Sequence, residues 1–232
     1  MRKSLIIIPL AFLFFFITEY LNAQDTELDK SLRGRILLGN IDSVKSLIKA
    51  GIDVNKRFDM GASKNVAPLF LAVMMGHSDI AKLLINSGAN PKMDFDGANL
   101  LHIAALYGGN EAIVDVLIRN GLDVNAKVKA SRLDKDMTPL HIAAGKGNIK
   151  VAKALIKNGA DITAKLFSYG YTPLHLAVKN KQIEFVKLLI SSGADVNAKD
   201  NSEETPLDMA IYKNQKEMTD LLKKNGGKSG KE

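Results

Sequence analysis

The chain has no cysteine among its 232 residues, and that absence removes several chemistries together. Disulfides, thiolate nucleophiles, iron–sulfur clusters and cysteine-ligated zinc are all excluded. Passage into an oxidising compartment would therefore carry no folding penalty. Proline is scarce, with 6 residues against 18 glycines, and only 6% of residues are aromatic. With 46% hydrophobic and 25% charged residues, the composition argues against a disordered, collagen-like or multi-span membrane chain. Acidic groups are in the minority: the net charge is +7, and most of the 32 basic residues are lysine. Such a balance favours acidic partners and says nothing about fold. Nor is there an apolar run of bilayer length. The longest, Leu5 to Ile17, has 13 residues, where a span needs ~20.

That run follows Arg2 and Lys3 and leads through Thr18-Glu19-Tyr20 to Ala23 before Gln24. A basic start, a short apolar stretch and a small residue at the cleavage position predict a signal peptide over residues 1–23. Ala23 suits position −1, whereas Leu21 at −3 is a poorer match, so the alternative is an uncleaved anchor. The mature chain is expected to be exported, periplasmic or secreted, with no membrane attachment after cleavage. Richness in Lys, Ile and Asn points to a bacterium with an AT-rich genome.

Internal repetition then decides the architecture. Gly51, Gly88, Gly121, Gly159, Gly193 and Gly226 each close an apolar-periodic segment, at spacings of 37, 33, 38, 34 and 33 residues. Sets such as Ile80, Leu83, Leu84 and Val151, Leu155, Ile156 put one apolar face on a short helix. A second signal opens each unit: Thr138-Pro139-Leu140-His141, Thr172-Pro173-Leu174-His175 and Thr205-Pro206-Leu207. Threonine there can cap a helix, and proline at the first helical position forfeits no hydrogen bond. Asn99-Leu100-Leu101-His102 and Ala67-Pro68-Leu69-Phe70 are weaker copies, and Ala72, Ala104, Ala143, Ala177 and Ala210 recur on the same face. Each unit reads as helix, tight turn, helix and extended loop.

The T-P-L-H-x-A runs at 138–143 and 172–177, with NGAD at 158–161 and SGADVNAKD at 192–200, resemble the ankyrin repeat. The resemblance covers residues 28–226. It implies an all-α repeat protein, a solenoid of helix-turn-helix units with hairpin-like loops. The units fall at about 28–60, 61–94, 95–132, 133–166, 167–200 and 201–226, inside a domain of 24–226, with a flexible tail at 227–232. Polar substitutions at Arg33, Arg35, Ser43 and Ser46, and at Thr219 and Lys223, give the two terminal units the outer faces of caps.

Two loops, 55–67 and 125–138, exceed the repeat's usual length, and several loops carry apolar groups. The resemblance implies partner binding through loop tips and the exposed face of the first helices. On those elements the candidates are Phe58, Met75, Phe95, Tyr107, Lys146, Phe167, Tyr169, Tyr171, Lys179 and Tyr212. Aromatic anchors beside positive charge are characteristic of interfaces; the competing account is that about half of these rings pack on adjacent repeats. Lys56, Lys92, Lys127, Lys165 and Lys199 recur at the loop starts, giving either a solvated edge or a surface for an acidic partner.

No catalytic set emerges. His102, His141 and His175 share one repeating slot and are expected to hydrogen-bond within the cap and loop network. No H-E-x-x-H, metal-spaced cluster or G-x-S-x-G occurs, Asp94-Phe95-Asp96-Gly97 reads as a turn, and no cofactor is implied. The expectation is a non-enzymatic, monomeric interaction scaffold that binds an unidentified protein and no nucleic acid, as an inhibitor or immunity protein. The alternatives are an envelope-anchored structural component with an uncleaved N-terminal segment, and an effector secreted toward host cells.

Overall fold

The computed structural model describes residues 32–60, 63–95, 97–129 and 136–230. The expected signal peptide at 1–23 lies outside the described residues. The chain divides into two compact units, 1–91 and 92–232. The first contains α1 (Leu32–Leu37), α2 (Ile41–Lys49), the strands β1 (Phe58–Met60) and β2 (Ser63–Val66), α3 (Pro68–Met74) and α4 (Ser78–Asn86). The second contains α5 (Leu100–Tyr107), α6 (Glu111–Arg119), α7 (Pro139–Lys146), α8 (Ile149–Lys157), α9 (Pro173–Lys179), α10 (Ile183–Ser191), α11 (Pro206–Tyr212) and α12 (Lys216–Lys224). In the first unit α1 packs on α3 and α2 on α4. In the second, α5, α7, α9 and α11 form one row, with α6, α8 and α10 in the row behind. This is the all-α repeat class expected from the sequence, and β1 and β2 pair antiparallel as one of its hairpin loops.

The helices start where their caps are. The Thr138, Thr172 and Thr205 hydroxyls accept from the backbone N–H three residues on, the Asn99 carboxamide does the same for α5, and Pro139, Pro173 and Pro206 follow their caps. First-row helices are buried nearly all round: in α7, Leu140 through Ala144 are covered. Second-row helices are amphipathic. Helix α8 buries Val151, Ala152, Ala154 and Leu155 and exposes Lys150, Lys153 and Lys157. Each buried Leu or Val contributes roughly 1.5–3 kcal/mol. Ala72, Ala104, Ala143, Ala177 and Ala210 are fully covered, and their small side chains let the row helices approach closely. At the end of α8, Gly159 turns left-handed with φ 85, and the next N–H, of Ala160, reaches back to Leu155 at 2.9 Å.

Two polar ladders fix the register of one repeat on the next. The buried one is built from histidine. His141 Nδ1 accepts from the Thr138 backbone N–H at 3.3 Å, and its Nε2 donates to the Tyr171 carbonyl at 3.1 Å. His102 joins Asn99 N–H (3.1 Å) to the Met137 carbonyl (3.1 Å), and His175 joins Thr172 N–H (3.2 Å) to the Glu204 carbonyl (3.3 Å). Only the neutral imidazole with its proton on Nε2 makes both bonds. The side chains thus do more than cap their own helices: each also clasps the following loop. Burial pushes all three rings' pKa down, that of His141 to about 4. The exposed ladder uses asparagine. Asn125 Nδ2 donates to the Gly159 carbonyl at 3.2 Å while its Oδ1 accepts from Asp161 N–H at 2.7 Å. Asn55 makes the equivalent pair to Gly88 (2.9 Å) and Asn90 (3.2 Å).

Within the tail expected at 227–232, Lys228, Ser229 and Gly230 are hydrogen-bonded to Asn197, Thr205 and Asp208, and residues 231–232 lie outside the described residues.

The histidine ladder sets a pH response. The folded state keeps His141 neutral down to about pH 4, whereas an unfolded imidazole takes up a proton near 6.5. Between those values the unfolded state binds more protons, so stability is intact above the window and falls as pH drops through it. A shift of this size corresponds to roughly 3 kcal/mol from His141, with contributions of the same sign from His102 and His175. Asp161 and Asp208 are held below the usual carboxylate range and stay ionised in that window. The urea midpoint is expected to fall steadily from pH 7 to pH 4.5; a flat midpoint would contradict the ladder.

Candidate interaction surface

The loop between α8 and α9 carries three of the aromatic candidates, Phe167, Tyr169 and Tyr171. Buried Leu166 anchors it, donating its N–H to the Tyr171 carbonyl at 2.9 Å and accepting from Gly170 N–H at 2.8 Å. Gly170 has φ 69, and a Cβ there would come within 2.7 Å of the Asn201 backbone nitrogen, so the turn admits only glycine. The next loop supplies a brace. Asn201 N–H donates to the Tyr169 carbonyl at 2.9 Å and its Nδ2 to the Phe167 carbonyl at 3.2 Å. Asp200 holds that brace in place, its Oδ1 accepting from Ser202 N–H (2.8 Å) and Glu204 N–H (2.9 Å).

On this braced backbone the rings differ in role. Tyr171 is half-buried, stacked on His175 at 5.6 Å and on Tyr169 at 5.3 Å. Burial, then the nearby Asp200 and Glu204, push its phenol pKa up. The Lys179 ammonium sits 5.2 Å from the Tyr171 ring centre and 5.8 Å from that of Tyr169. Tyr169 is 51% exposed and Phe167 78%. Phe167 also walls a cleft of about 760 Å3 shared with Asp123, Lys127, Val128, Lys129 and Asp136.

The remaining candidates are placed individually. Tyr212, at the end of α11, is 85% exposed. Lys146 is exposed at the end of α7, and Tyr107 is half-buried at the end of α5, with its phenol pKa raised by burial. Lys179 and Tyr212 fall seven residues after their caps and Tyr107 and Lys146 eight, so the four belong to adjacent slots of the repeat. Phe95 is half-buried in a two-bond bridge to Ala98, and the Asp94 carboxylate accepts from Gly97 N–H at 2.9 Å, closing the expected turn. Phe58 and Met75 belong to the first unit. Phe58 is half-buried in β1 with the Arg33 guanidinium 5.9 Å from its ring centre, and Met75 caps α3.

Two rungs of the lysine ladder are engaged by the protein itself. Lys165 Nζ donates to the Lys199 carbonyl at 2.7 Å, and Lys199 pairs with Glu203 at 3.1 Å. Asn201 and Asp200 were not among the sequence candidates. Their polar types mark a turn, and Asp200 acts within it, but the carbonyls that Asn201 braces lie more than 30 residues away. Among the described residues no group of three or more His, Asp or Glu is arranged to hold a metal, and no helix is long and apolar enough to cross a membrane.

The family model for ankyrin repeats matches residues 35–128, 126–200 and 169–231. The chain belongs to the ankyrin repeat family. It resembles alpha-latrocrustotoxin-Lt1a of Latrodectus tredecimguttatus, with 32% identity over 117 residues, covering 50% of this chain and 8% of the toxin. It is also similar to mouse Ankyrin repeat, SAM and basic leucine zipper domain-containing protein 1, with 29% identity over 129 residues, covering 54% of this chain and 25% of that protein. The chain therefore matches only a minor part of each curated relative. Among solved structures it resembles the ankyrin repeat domain of Bcl-3, a member of the IkappaB protein family. That match has a TM-score of 0.67 and 26% identity and covers 85% of this chain and 86% of the other. The ankyrin repeat fold is typically a non-enzymatic scaffold for protein–protein interaction.

The two kinds of ring are distinguishable by stability. Phe167→Ser, at an exposed tip, is expected to change unfolding free energy by less than about 0.5 kcal/mol. Tyr171→Ser removes a ring packed on His175 and should cost about 1–3 kcal/mol. Urea titrations of both variants check this; equal effects would refute the assignment of roles.

Proposed function

We propose that this ankyrin repeat protein is an exported, non-catalytic scaffold that grips a single partner protein through the loop 166–171, with Lys179, Lys146 and Tyr212 on the adjoining helix ends. The observation that carries this reading is the pairing of exposed Phe167 and Tyr169 rings with a backbone pinned by Asn201. Rigid exposed aromatics avoid much of the ordering cost of association and act as anchors. The Lys179 ammonium beside the rings and the net charge of +7 favour a partner with an acidic surface. Such a surface suits masking, so the role is that of an inhibitor or immunity protein acting as a monomer. Export is supported by Arg2, Lys3, the apolar run Leu5 to Ile17 and Ala23. A second reading, an envelope component that keeps residues 1–23, is favoured by Leu21 at −3.

The experiment uses residues 24–232 as bait against native envelope and secreted fractions. A parallel bait carries Phe167→Ser and Tyr169→Ser, with circular dichroism confirming its fold. One partner held by the wild type is expected to bind the double variant at least about tenfold more weakly, as loss of hot-spot rings implies. Equal affinity for both baits would overturn the proposed surface. The N-terminal residue of the protein made in its own cell decides between export and anchoring: Gln24 supports the first, Met1 the second.

A further inference from the structure

The slot three residues after the helix cap holds His102, His141 and His175 in three repeats, and Asp208 in the sixth. An imidazole Nε2–H donates, whereas a carboxylate only accepts. The exchange fits its surroundings only if the groups beyond Asp208 are donors. They are: Ser229 Oγ donates to Asp208 Oδ1 at 2.7 Å, and Gly230 N–H donates to Oδ2 at 2.8 Å. Alongside, Thr205 Oγ1 donates to the Lys228 carbonyl at 2.8 Å. Asn197 completes the set, with Nδ2 donating to the Gly226 carbonyl at 3.1 Å and Oδ1 accepting from Lys228 N–H at 2.7 Å. Those two bonds repeat what Asn125 makes to Gly159 and Asp161. Gly226 to Lys228 thus fill the places that Gly159 to Asp161 fill in an ordinary repeat.

We propose that residues 228–230 are a built-in ligand for the outer edge of the sixth repeat, a docking site formed by Thr205 and Asp208 with Asp208 as the clasp, while Asn197 of the fifth repeat holds the start of the segment as in an ordinary rung. The segment is shaped for close seating. A Cβ on Gly227 would lie 2.9 Å from the Leu222 carbonyl oxygen, and one on Gly230 would run into the Glu203 carbonyl oxygen. The edge carries the donor and acceptor pattern of a repeat that awaits a neighbour, and the segment satisfies it without supplying another helix pair. Partial burial works to raise the Asp208 pKa, but the bonds from the Thr205 and Gly230 backbone N–H groups and the Ser229 hydroxyl prevail and hold it at about 2.

Amide hydrogen exchange on the full chain at neutral pH tests this. In the wild type the Lys228 and Gly230 amides are expected to exchange at least about tenfold more slowly than free peptide. Gly230→Ala and Asp208→His should each bring the amide of residue 230 close to the free rate while Asn197 still protects Lys228. Amides of α9 and α10 should stay protected in both variants, showing that the repeats remain folded. Gly230→Ala lies outside every helix and leaves the proposal testable if Asp208→His unfolds α11. Free-rate exchange in the wild type, or unchanged protection in Gly230→Ala, would overturn the proposal. Protection that rises with protein concentration would assign the edge to a second copy and overturn it equally.

Discussion

A neutral imidazole buried between two repeats accepts one hydrogen bond from its own helix start and donates the other to a carbonyl of the next loop. His141 does this between Thr138 and Tyr171, and His175 between Thr172 and Glu204. Leaving either end unmade would cost about 1–3 kcal/mol in a dry interior, so each bond specifies how far one repeat slides against the next. The candidate surface hangs on this pair. His141 holds the Tyr171 carbonyl from one side, while the Tyr171 ring lies flat on His175. Loop 166–171 is thereby placed by two successive histidines, and Phe167 and Tyr169 project from a backbone with little freedom left.

The same logic governs the exposed edge, with weaker groups. Asparagine is suited to the loop ladder because its carboxamide both donates and accepts, and Asn55, Asn125 and Asn197 each bridge to a following glycine and the N–H two residues on. In three repeats this slot holds a buried histidine that donates to a carbonyl; in the sixth it holds Asp208, whose partners beyond the helix start, the Ser229 hydroxyl and the Gly230 N–H, are donors. For function, a stack registered in this way presents its loop tips already ordered, which suits recognition more than chemistry.

Much of this was legible in residue order. Thr-Pro at the helix starts, alanine on the inner face and glycine after the second helix act within a few residues of themselves, so their spacing announces helix, turn, helix and loop. The exposed aromatics were legible as candidates, but their division was not. Tyr169 and Tyr171 are two positions apart, yet one stands open and the other packs on His175. Lys165 and Lys199 read as a free basic edge, yet one is bonded to a carbonyl and the other paired with Glu203.

The all-α repeat architecture and its caps follow from the chain alone, because capping, helix periodicity and termination are local and recur at a near-constant period. Which rings reach solvent, how Asn201 braces the aromatic loop, and why residues 228–230 lie fastened to Thr205 and Asp208 were settled by packing. In the last two cases the deciding partner lies about 20 to 35 residues away in the chain, and only the tertiary fold brings it within hydrogen-bonding distance; in the first, the packing of Tyr171 on His175 decides.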